Sequence, residues 1–327
     1  GDLAKDTTGN SRSASKWREL LSGDQDYFPE CDDPIKWSEI TKALNYTPNN
    51  KAPGVDGVPS EIWKIVMSEK SPTSDLAKII HKIIKIMYDS GEIPSCMTTR
   101  IIFPVPKKND KKDPDNYRGI SLIPTIIKLL AKIVASKLAT MDLKYSLIAK
   151  EQAGFRNFEE CVAQATSLYE IAKRRKIKNL QTWICFFKYS KAYDRVPHMT
   201  LIHKLQSIGI IGKLLNEING MLYDPKIAVR IGDDISWPFE YHCGVHQGCP
   251  ASPVFFENFM NDIFSDVLRV DVPVLPNRIH GQLFADDTMV LAESAENLQT
   301  SLDAIRAWSD AWKISVNASK CAIMAID

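Results

Sequence analysis

Two periodicities of apolar residues predict helices and strands along most of the chain. Between Ser74 and Gly91, apolar residues recur three or four positions apart, and these two residues are suited to cap the start and the end of a helix. Similar spacing predicts helices over residues 37–44, from 60 onward, and over 126–138, 202–223, 254–267 and 295–312. Short apolar runs predict strands over 101–106, 117–122 and 321–326, a strand beginning at 184, and a hairpin over 226–242.

One short stretch places two carboxylates between apolar runs. Leu283 and Phe284 precede Asp286 and Asp287, and residues 289–291 follow them, which predicts a buried hairpin with both aspartates exposed at its turn. Two like charges a few ångströms apart raise each other's pKa, so the pair needs a neutralising cation, for which a divalent metal is the natural choice. A solvated Asp-Asp turn is the alternative, because aspartate is also a common turn residue.

The charge balance of the chain is nearly neutral. Its 327 residues are enough for one large domain or two, and 41 lysines and arginines stand against 40 aspartates and glutamates, a formal charge of +1. A protein that cradles a nucleic-acid duplex normally carries a basic excess, because neutralising phosphates supplies much of its affinity. Any basic groove on this chain must therefore be offset by acidic surface elsewhere.

The seven cysteines are scattered, odd in number and without paired spacing, which predicts free thiols in a reducing compartment. Zinc binding by His242, Cys243, His246 and Cys249 is a weaker alternative, because their spacing matches no common zinc site. No apolar run approaches the length needed to span a membrane, and no basic and apolar leader is present. The localisation beyond a reducing compartment stays open, including an organelle reached with a cleaved leader.

Five motifs together resemble the reverse-transcriptase domain of non-LTR retrotransposons. They occur in that family's order and cover roughly residues 49–323. The motifs are residues 50–57, 116–122, 190–198, 244–253 and 284–287. The resemblance implies an α+β fold of right-hand polymerase type, with fingers and an antiparallel palm sheet backed by helices. We expect an N-terminal extension over 1–48, a fingers-like part over 49–150 and a palm-like part over 151–327, with no thumb.

The N-terminal extension is expected to be partly flexible, because residues 1–13 are small, polar and charged. Its later part has many large apolar side chains, which predicts packing on the body of the protein or on another subunit. These residues are Trp17, Leu20, Leu21, Tyr27, Phe28 and Trp37.

The resemblance also implies roles for individual residues. Asp286 and Asp287 correspond to the family's metal-binding aspartates, and Tyr193 to the aromatic gate that excludes a 2′ hydroxyl. Lys107 and Arg118 correspond to basic residues that contact the triphosphate, which suits a guanidinium because it binds phosphate with two parallel hydrogen bonds. The nucleotide-binding set of an active enzyme would be Lys107, Arg118, Tyr193, Gln247 and Lys320. Solvated basic residues and a core ring at Tyr193 are the alternatives.

Three departures from the family pattern weaken metal or nucleic-acid binding. The Lys-Ala-Tyr-Asp sequence ending at Asp194 sets the register of the first carboxylate motif, and in that register the catalytic aspartate falls on Lys188. Glu159 and Glu160 stand where the family has Arg-Ser in a segment that touches the nucleic-acid backbone, which reverses the sign of the phosphate interaction. His246 stands where an arginine is usual.

We therefore predict a domesticated, catalytically inactive reverse-transcriptase-like domain, a structural or RNA-contacting subunit of a larger assembly. Nucleotidyl transfer uses two divalent ions bridged by carboxylates, and Lys188 would bring an ammonium group to that position. No cofactor, membrane or small-molecule substrate is expected, and the predicted partners are proteins and RNA. The alternative is an active RNA-directed DNA polymerase from a retroelement, with Mg²⁺ held by Asp286 and Asp287.

Overall fold

The structure is a computed structural model that describes residues 27–107, 110–156, 159–223 and 226–326. The flexible arm predicted over residues 1–13, together with Trp17, Leu20 and Leu21, lies outside the described residues. The described parts form helices around two separate β-sheets, and one large apolar core runs from Phe28 to Ile314.

Eleven α-helices are found in the described ranges. They are α1 (Trp37–Asn45), α2 (Ser60–Lys64), α3 (Asp75–Ser90), α4 (Ser95–Thr98), α5 (Thr125–Tyr145), α6 (Cys161–Ile177), α7 (Ala192–Arg195), α8 (His198–Ser207), α9 (Gly212–Leu222), α10 (Ser252–Met260) and α11 (Ala295–Trp312). Short 3₁₀ turns cover Pro29–Asp32, Pro114–Asn116 and Ala318–Lys320.

The palm sheet contains four antiparallel strands in the order β7-β8-β3-β9. These strands are β3 (Thr182–Phe187), β7 (Gly281–Phe284), β8 (Asp287–Ala292) and β9 (Ala322–Ile326). Helix α11 packs on β8 and β3, so the sheet is backed by a helix as the sequence predicts. The two middle strands are apolar and buried, which holds the end of β3 firmly beside the acidic hairpin.

The second sheet combines strands from both parts of the predicted division. Its strands are β1 (Thr99–Pro106), β2 (Tyr117–Leu122), β4 (Lys226–Ile231), β5 (Asp234–Ile235) and β6 (Phe239–Glu240). β1 pairs antiparallel with β2 and parallel with β4, which in turn pairs with β5 and β6. Residues 226–240 thus join a sheet whose other strands precede residue 150, and the division at that residue stays a prediction.

Local sequence signals account for both ends of α3. The Ser74 Oγ accepts a hydrogen bond from the Ala77 N–H, and Gly91 ends α3 with φ +69°, as the capping pattern predicts. The Ile80, Ile84 and Met87 side of α3 faces the core. One detail of the prediction was wrong. Helix α10 ends at Met260, seven residues before the predicted end, and the chain continues in turns.

All seven cysteines lie in the described ranges and are free thiols, as their spacing predicts. No helix in the described part of the chain is both long and apolar enough to cross a membrane.

One buried carboxyl makes the stability of the core depend on pH. Glu217 of α9 is fully buried, and neither carboxyl oxygen has a hydrogen-bond partner among the described residues. Burial raises its pKa to about 8, so the folded protein holds a proton that the unfolded chain releases above about pH 4.5. This group therefore destabilises the fold progressively as the pH rises from about 4.5 to about 8.

We expect Glu217→Met to remove this pH dependence. Relative to the native chain, the free energy of unfolding of the variant should rise by about 1.4 kcal/mol per pH unit between pH 4.5 and 8, and by nothing below that window. Urea titrations at four pH values measure the difference. A constant difference across the window would contradict a buried, protonated Glu217.

Candidate active site

The end of β3 places Lys188 against the acidic hairpin. The antiparallel register pairs Phe187 with Thr288, so the next position of each strand brings Lys188 opposite Asp287. Asp286 lies in the two-residue turn before β8, and Ala285 begins that turn with φ +58°. The neighbouring strands thus hold the lysine and both carboxylates at one end of the palm sheet.

The ammonium of Lys188 contacts both carboxylates. Its Nζ lies 3.3 Å from an Asp286 Oδ2 and donates a hydrogen bond to the Asp287 Oδ1. Partial burial lowers the pKa of Lys188, but the hydrogen bond to Asp287 and the two negative charges outweigh it, so the pKa lies above its ordinary value. The amine is therefore charged at neutral pH, and it supplies the positive charge that the Asp-Asp turn requires.

The segment that precedes α6 braces the hairpin from its open edge. Gln152 forms a parallel bridge with Leu283, and its Oε1 accepts hydrogen bonds from the N–H groups of Gly154 and Ala285 at 2.8 and 3.0 Å. A Cβ atom on Gly154 would lie 2.1 Å from the Ala285 nitrogen, so the two backbones touch. The sequence alone gave no indication of this bracing role of Gln152.

A second brace links Lys188 to the turn that carries Lys320. The N–H of Asn317 donates to the Lys188 carbonyl at 2.7 Å, and the N–H of Ser190 donates to the Ser315 carbonyl at 2.8 Å. Lys320 lies three residues after Asn317 in a 3₁₀ turn, and its side chain is exposed. The structure therefore brings the backbone of Lys320 close to the strand end, and the role of its ammonium group stays a prediction.

Tyr193 is part of an aromatic stack beside the hairpin. Its ring is stacked on Phe256 with centroids 4.5 Å apart and meets the edge of Phe155 at 6.2 Å. Burial, and then the charge of Asp286, raises the pKa of the Tyr193 hydroxyl. The stack satisfies the packing demand of the ring, so its presence agrees both with a gate residue and with a core residue.

The loop over residues 244–253 joins α7 to the β1–β2 hairpin. Gly244 has φ +101°, its N–H donates to Val196, and the Val245 N–H donates to Tyr193 at 2.7 Å. On the other side, the carbonyl of Gln247 accepts a hydrogen bond from the Ser121 N–H of β2 at 2.8 Å. Gln247 is half-buried and fixed through its backbone between the palm and the β1–β2 hairpin.

The basic residues of the β1–β2 hairpin lie on the surface. Arg118 is exposed on β2 opposite Val105, and Lys107 is exposed just past β1, where its N–H donates to Asn116 at 2.7 Å. Burial raises the pKa of Asp194, and the charges of Lys191 and Lys107 oppose that shift, so Lys107 faces the start of the palm. The roles of both residues in nucleotide binding stay predictions.

Of the other two departures from the family pattern, His246 is a core residue. Its ring is buried, its Nδ1 lies 3.2 Å from the Ser121 Oγ, and its Nε2 contacts Arg100 and Tyr241. Burial and the charge of Arg100 lower the pKa of His246 well below its ordinary value, so the ring is neutral. His246 belongs to the core rather than to a groove, whereas Glu159 and Glu160 are exposed.

Arg100 is a buried cation that sequence reasoning missed. Its Nη2 donates to the Met221 carbonyl at 2.7 Å, and its Nη1 donates to the Tyr241 hydroxyl at 3.3 Å. The available signal was a single charge in the otherwise uncharged strand β1. Buried polar groups need such partners, so this network ties β1 to α9 and to the loop over residues 244–253.

The residues at the strand end do not fit a pair of divalent ions. Magnesium requires oxygen ligands, and here an ammonium group takes up the space and the charge between the carboxylates of Asp286 and Asp287. Within the described ranges, no group of three or more His, Cys, Asp or Glu side chains could hold a metal ion, so Asp194 does not complete one. The same holds for the weak zinc alternative at residues 242–249.

The antiparallel palm sheet, its acidic hairpin and the attached β1–β2 hairpin define a polymerase-like fold of fingers and palm. A family model described as "Reverse transcriptase (RNA-dependent DNA polymerase)" matches residues 105–326, and the chain belongs to this family.

The curated relatives are proteins of non-LTR retrotransposons, as the motifs predict. The chain is 26% identical over 296 residues to the RNA-directed DNA polymerase from mobile element jockey of Drosophila funebris, covering 89% of this chain and 31% of that protein. It is 24% identical over 298 residues to the transposon TX1 uncharacterized 149 kDa protein of Xenopus laevis, covering 88% and 22%. The chain therefore spans about a third or less of the length of these relatives.

The fold resembles a solved telomerase. The structure of apo telomerase from Candida tropicalis, truncated from its C-terminal domain, is similar with a TM-score of 0.50 and 13% sequence identity. The similarity covers 80% of this chain and 60% of the telomerase chain. At this identity it supports the fold class, which is confirmed, and carries no conclusion about activity.

Proposed function

We propose that this chain is a reverse-transcriptase domain that does not extend primers and that serves as a structural or RNA-contacting subunit of a larger assembly. The observation that carries the proposal is the contact of the Lys188 ammonium with both hairpin carboxylates. Nucleotidyl transfer needs metal ions to activate the primer hydroxyl and to hold the triphosphate. An ammonium group is not a Lewis acid and cannot replace a metal ion in these roles. The Lys188 ammonium neutralises the hairpin carboxylates, but it leaves the site without the metal ions that the reaction needs.

Two further features support the proposal. Glu159 and Glu160 are exposed carboxylates that repel phosphate, and the chain as a whole has a formal charge of +1. Retained elements of the fold have structural uses that need no reaction: Tyr193 is part of an aromatic stack, and the loop over 244–253 connects α7 to the β1–β2 hairpin. A fold of this kind can be kept for packing and binding after its metal site is lost.

The second candidate function is RNA-directed DNA polymerisation, with Mg²⁺ as the metal. It is favoured by the names of several relatives, including jockey, and by the retention of Asp286, Asp287, Tyr193 and Arg118. In this case Lys188 would have to leave both carboxylates when metal and nucleotide bind. Partners remain a proposal in either case: protein subunits and RNA for the first function, and a template with its primer for the second.

Primer extension separates the two candidates. We expect the full chain to add no nucleotide to a DNA primer on an RNA template with 5 to 10 mM Mg²⁺ or Mn²⁺, where those concentrations are on the order of ordinary assay conditions. The native chain should nevertheless bind a labelled single-stranded RNA in fluorescence anisotropy if it is an RNA-contacting subunit, with affinity that falls as salt rises. Extension by the native chain would refute the inactive assignment.

A matched variant controls for damage to the template-binding surface. Lys188→Asp restores the third carboxylate, and a product made by that variant alone would show that the metal site was the missing part. Lys176→Asp makes the same charge change at an exposed position of α6 and serves as the control. Failure of both variants, with RNA binding intact, would place further defects outside the metal site.

A further inference from the structure

A cavity of about 410 Å³ lies between α5, the loop that follows it and α10. The charged residues at the end of β3 and in the acidic hairpin do not line it, so the palm chemistry gives this cavity no use. Its size and its mainly apolar lining are typical of sites that bind small organic molecules. The aliphatic part of the lining includes Leu138, Leu147, Ile148 and Val254.

Hydrogen bonds fix the walls of the cavity relative to one another. Asn261, one residue past the end of α10, accepts a hydrogen bond from the Ala149 N–H at 2.6 Å and donates one to the Leu147 carbonyl at 2.7 Å. On the other side of the loop, the Asp142 Oδ1 of α5 accepts from the Ile148 N–H at 2.7 Å. The loop is therefore tied to both helices, and a ligand would meet a preformed site, which lowers the cost of binding.

Glu257 of α10 is a buried acid on this lining. It is 5% exposed, and its Oε1 has no hydrogen-bond partner among the described residues. Asn258, the neighbouring polar residue of the lining, uses its amide to donate to the Val254 carbonyl at 2.8 Å. Buried polar atoms normally have a partner. An unpaired carboxyl oxygen at a cavity is therefore a place where a ligand can donate a hydrogen bond.

The other charged groups on the lining leave Glu257 without a counter-ion. Arg156 forms an ion pair with Asp142 at 3.0 Å, and Lys150 and Glu159 are exposed. Burial raises the pKa of Glu257 to about 8, the charge of Arg156 opposes this shift, and the charge of Asp142 adds to it. Glu257 therefore holds a proton at neutral pH, and a cation bound beside it would displace that proton.

The chemistry of the lining suits an organic cation rather than a metal ion. Within the described ranges, no group of three or more His, Cys, Asp or Glu side chains could hold a metal, and this includes the acids of the cavity. An ammonium group needs only one carboxylate as its partner, and an apolar body attached to it would gain from contact with the aliphatic lining. The cavity is thus complementary to an apolar molecule that carries one amine.

We propose that this cavity is a binding site for a small apolar primary amine, with the ammonium group beside Glu257 and the apolar body against Leu138, Ile148 and Val254. The ammonium group donates to the Glu257 Oε1, which then gains the partner that it lacks. The site does not include the acidic hairpin, so this binding does not depend on whether the palm is active.

Calorimetric titration of the full chain with phenethylamine tests the proposal, with phenethyl alcohol as a neutral control of nearly the same shape. At pH 8 we expect the amine to bind at least about tenfold more tightly than the alcohol, because only the ammonium group forms an ion pair with Glu257. Equal affinities would overturn the ion pair. No binding of the amine at about 1 mM would overturn the site.

Two pairs of variants locate the bound amine. Glu257→Gln should lower its affinity at least about tenfold, whereas Glu217→Gln makes the same change at a buried acid that does not line the cavity and should not. Ala139→Trp fills space at an exposed position of the lining and should have a similar effect, whereas Ala163→Trp at an exposed position of α6 should not. Unchanged binding by Glu257→Gln or by Ala139→Trp would place the amine elsewhere and overturn the proposal.

The pH dependence of binding tests the proposal on the native chain. Because the ligand binds the ionised form of Glu257, its affinity should rise about 50-fold from pH 6 to pH 8 and level off above the Glu257 pKa of about 8. The Tyr193 hydroxyl, whose pKa is raised by burial and then by the charges of Asp286 and Glu257, keeps its proton throughout this range. Phenethyl alcohol should show no such rise. A constant affinity for phenethylamine between pH 6 and pH 8 would contradict the displacement of the Glu257 proton.

Discussion

Replacing Lys188 with aspartate should create a divalent-metal site at the end of β3. The change removes the ammonium that contacts both hairpin carboxylates and puts a third carboxylate opposite Asp287 in the strand register. Hard divalent cations prefer such a cluster of carboxylate oxygens. We expect Mn²⁺ to bind Lys188→Asp at least about 100-fold more tightly than the native chain, a difference of about 2.7 kcal/mol.

Electron paramagnetic resonance of free Mn²⁺ measures this difference directly, without requiring any enzymatic activity. Lys188→Met removes the ammonium without adding a carboxylate and should give intermediate affinity. Lys176→Asp changes the net charge by the same amount at an exposed position of α6, and it should leave Mn²⁺ binding near the native level. Equal, tight binding by the native chain and Lys188→Asp would show that the ammonium does not block the site.

Replacing Gly154 with alanine should displace the segment that supports the acidic hairpin and destabilise the protein. A Cβ atom at this position would lie 2.1 Å from the nitrogen and 2.8 Å from the Cα of Ala285, and neither backbone atom can rotate away. The clash forces apart the segment that holds the Gln152 hydrogen bonds to the hairpin turn. We expect Gly154→Ala to lower the free energy of unfolding by about 3 kcal/mol, as overpacking against backbone does.

A glycine in open space provides the control for Gly154→Ala. Gly232 has φ +63°, and a Cβ atom added there would have no atom within 4 Å. The only cost of Gly232→Ala is therefore that of an alanine in the left-handed region, about 1 kcal/mol. Urea denaturation of both variants compares the two costs. A Gly154 variant no less stable than the Gly232 variant would contradict the tight contact with Ala285.

The sequence predicted helices well where neighbouring residues determine their ends. Apolar spacing and capping residues gave α3 and α11 with the correct ends, because a helix start needs only a nearby side-chain acceptor. The early end of α10 was not predictable in this way. Residues after Met260 keep an apolar pattern, and Ile263 and Phe264 are buried in the core although the chain continues in turns.

In the candidate site, too, some features depend on neighbouring residues and others on contacts between distant segments. A sequence register predicted that an amine stands at the position of the missing aspartate, since that inference needs only the spacing to Asp194. The burial of the His246 ring was not predicted, because it depends on Arg100 and Tyr241, which lie 146 and 5 residues away in the sequence. The bracing of the hairpin by Gln152 was missed for the same reason.

By itself, the sequence determined the family, the order of the motifs and the chemical identity of the residue at position 188, because these are properties of the covalent chain. Only the tertiary structure decided that the ammonium reaches both Asp286 and Asp287, and that Glu217 is buried with no hydrogen-bond partner among the described residues. These features arise from contacts between segments far apart in sequence, and local propensity carries no information about such contacts.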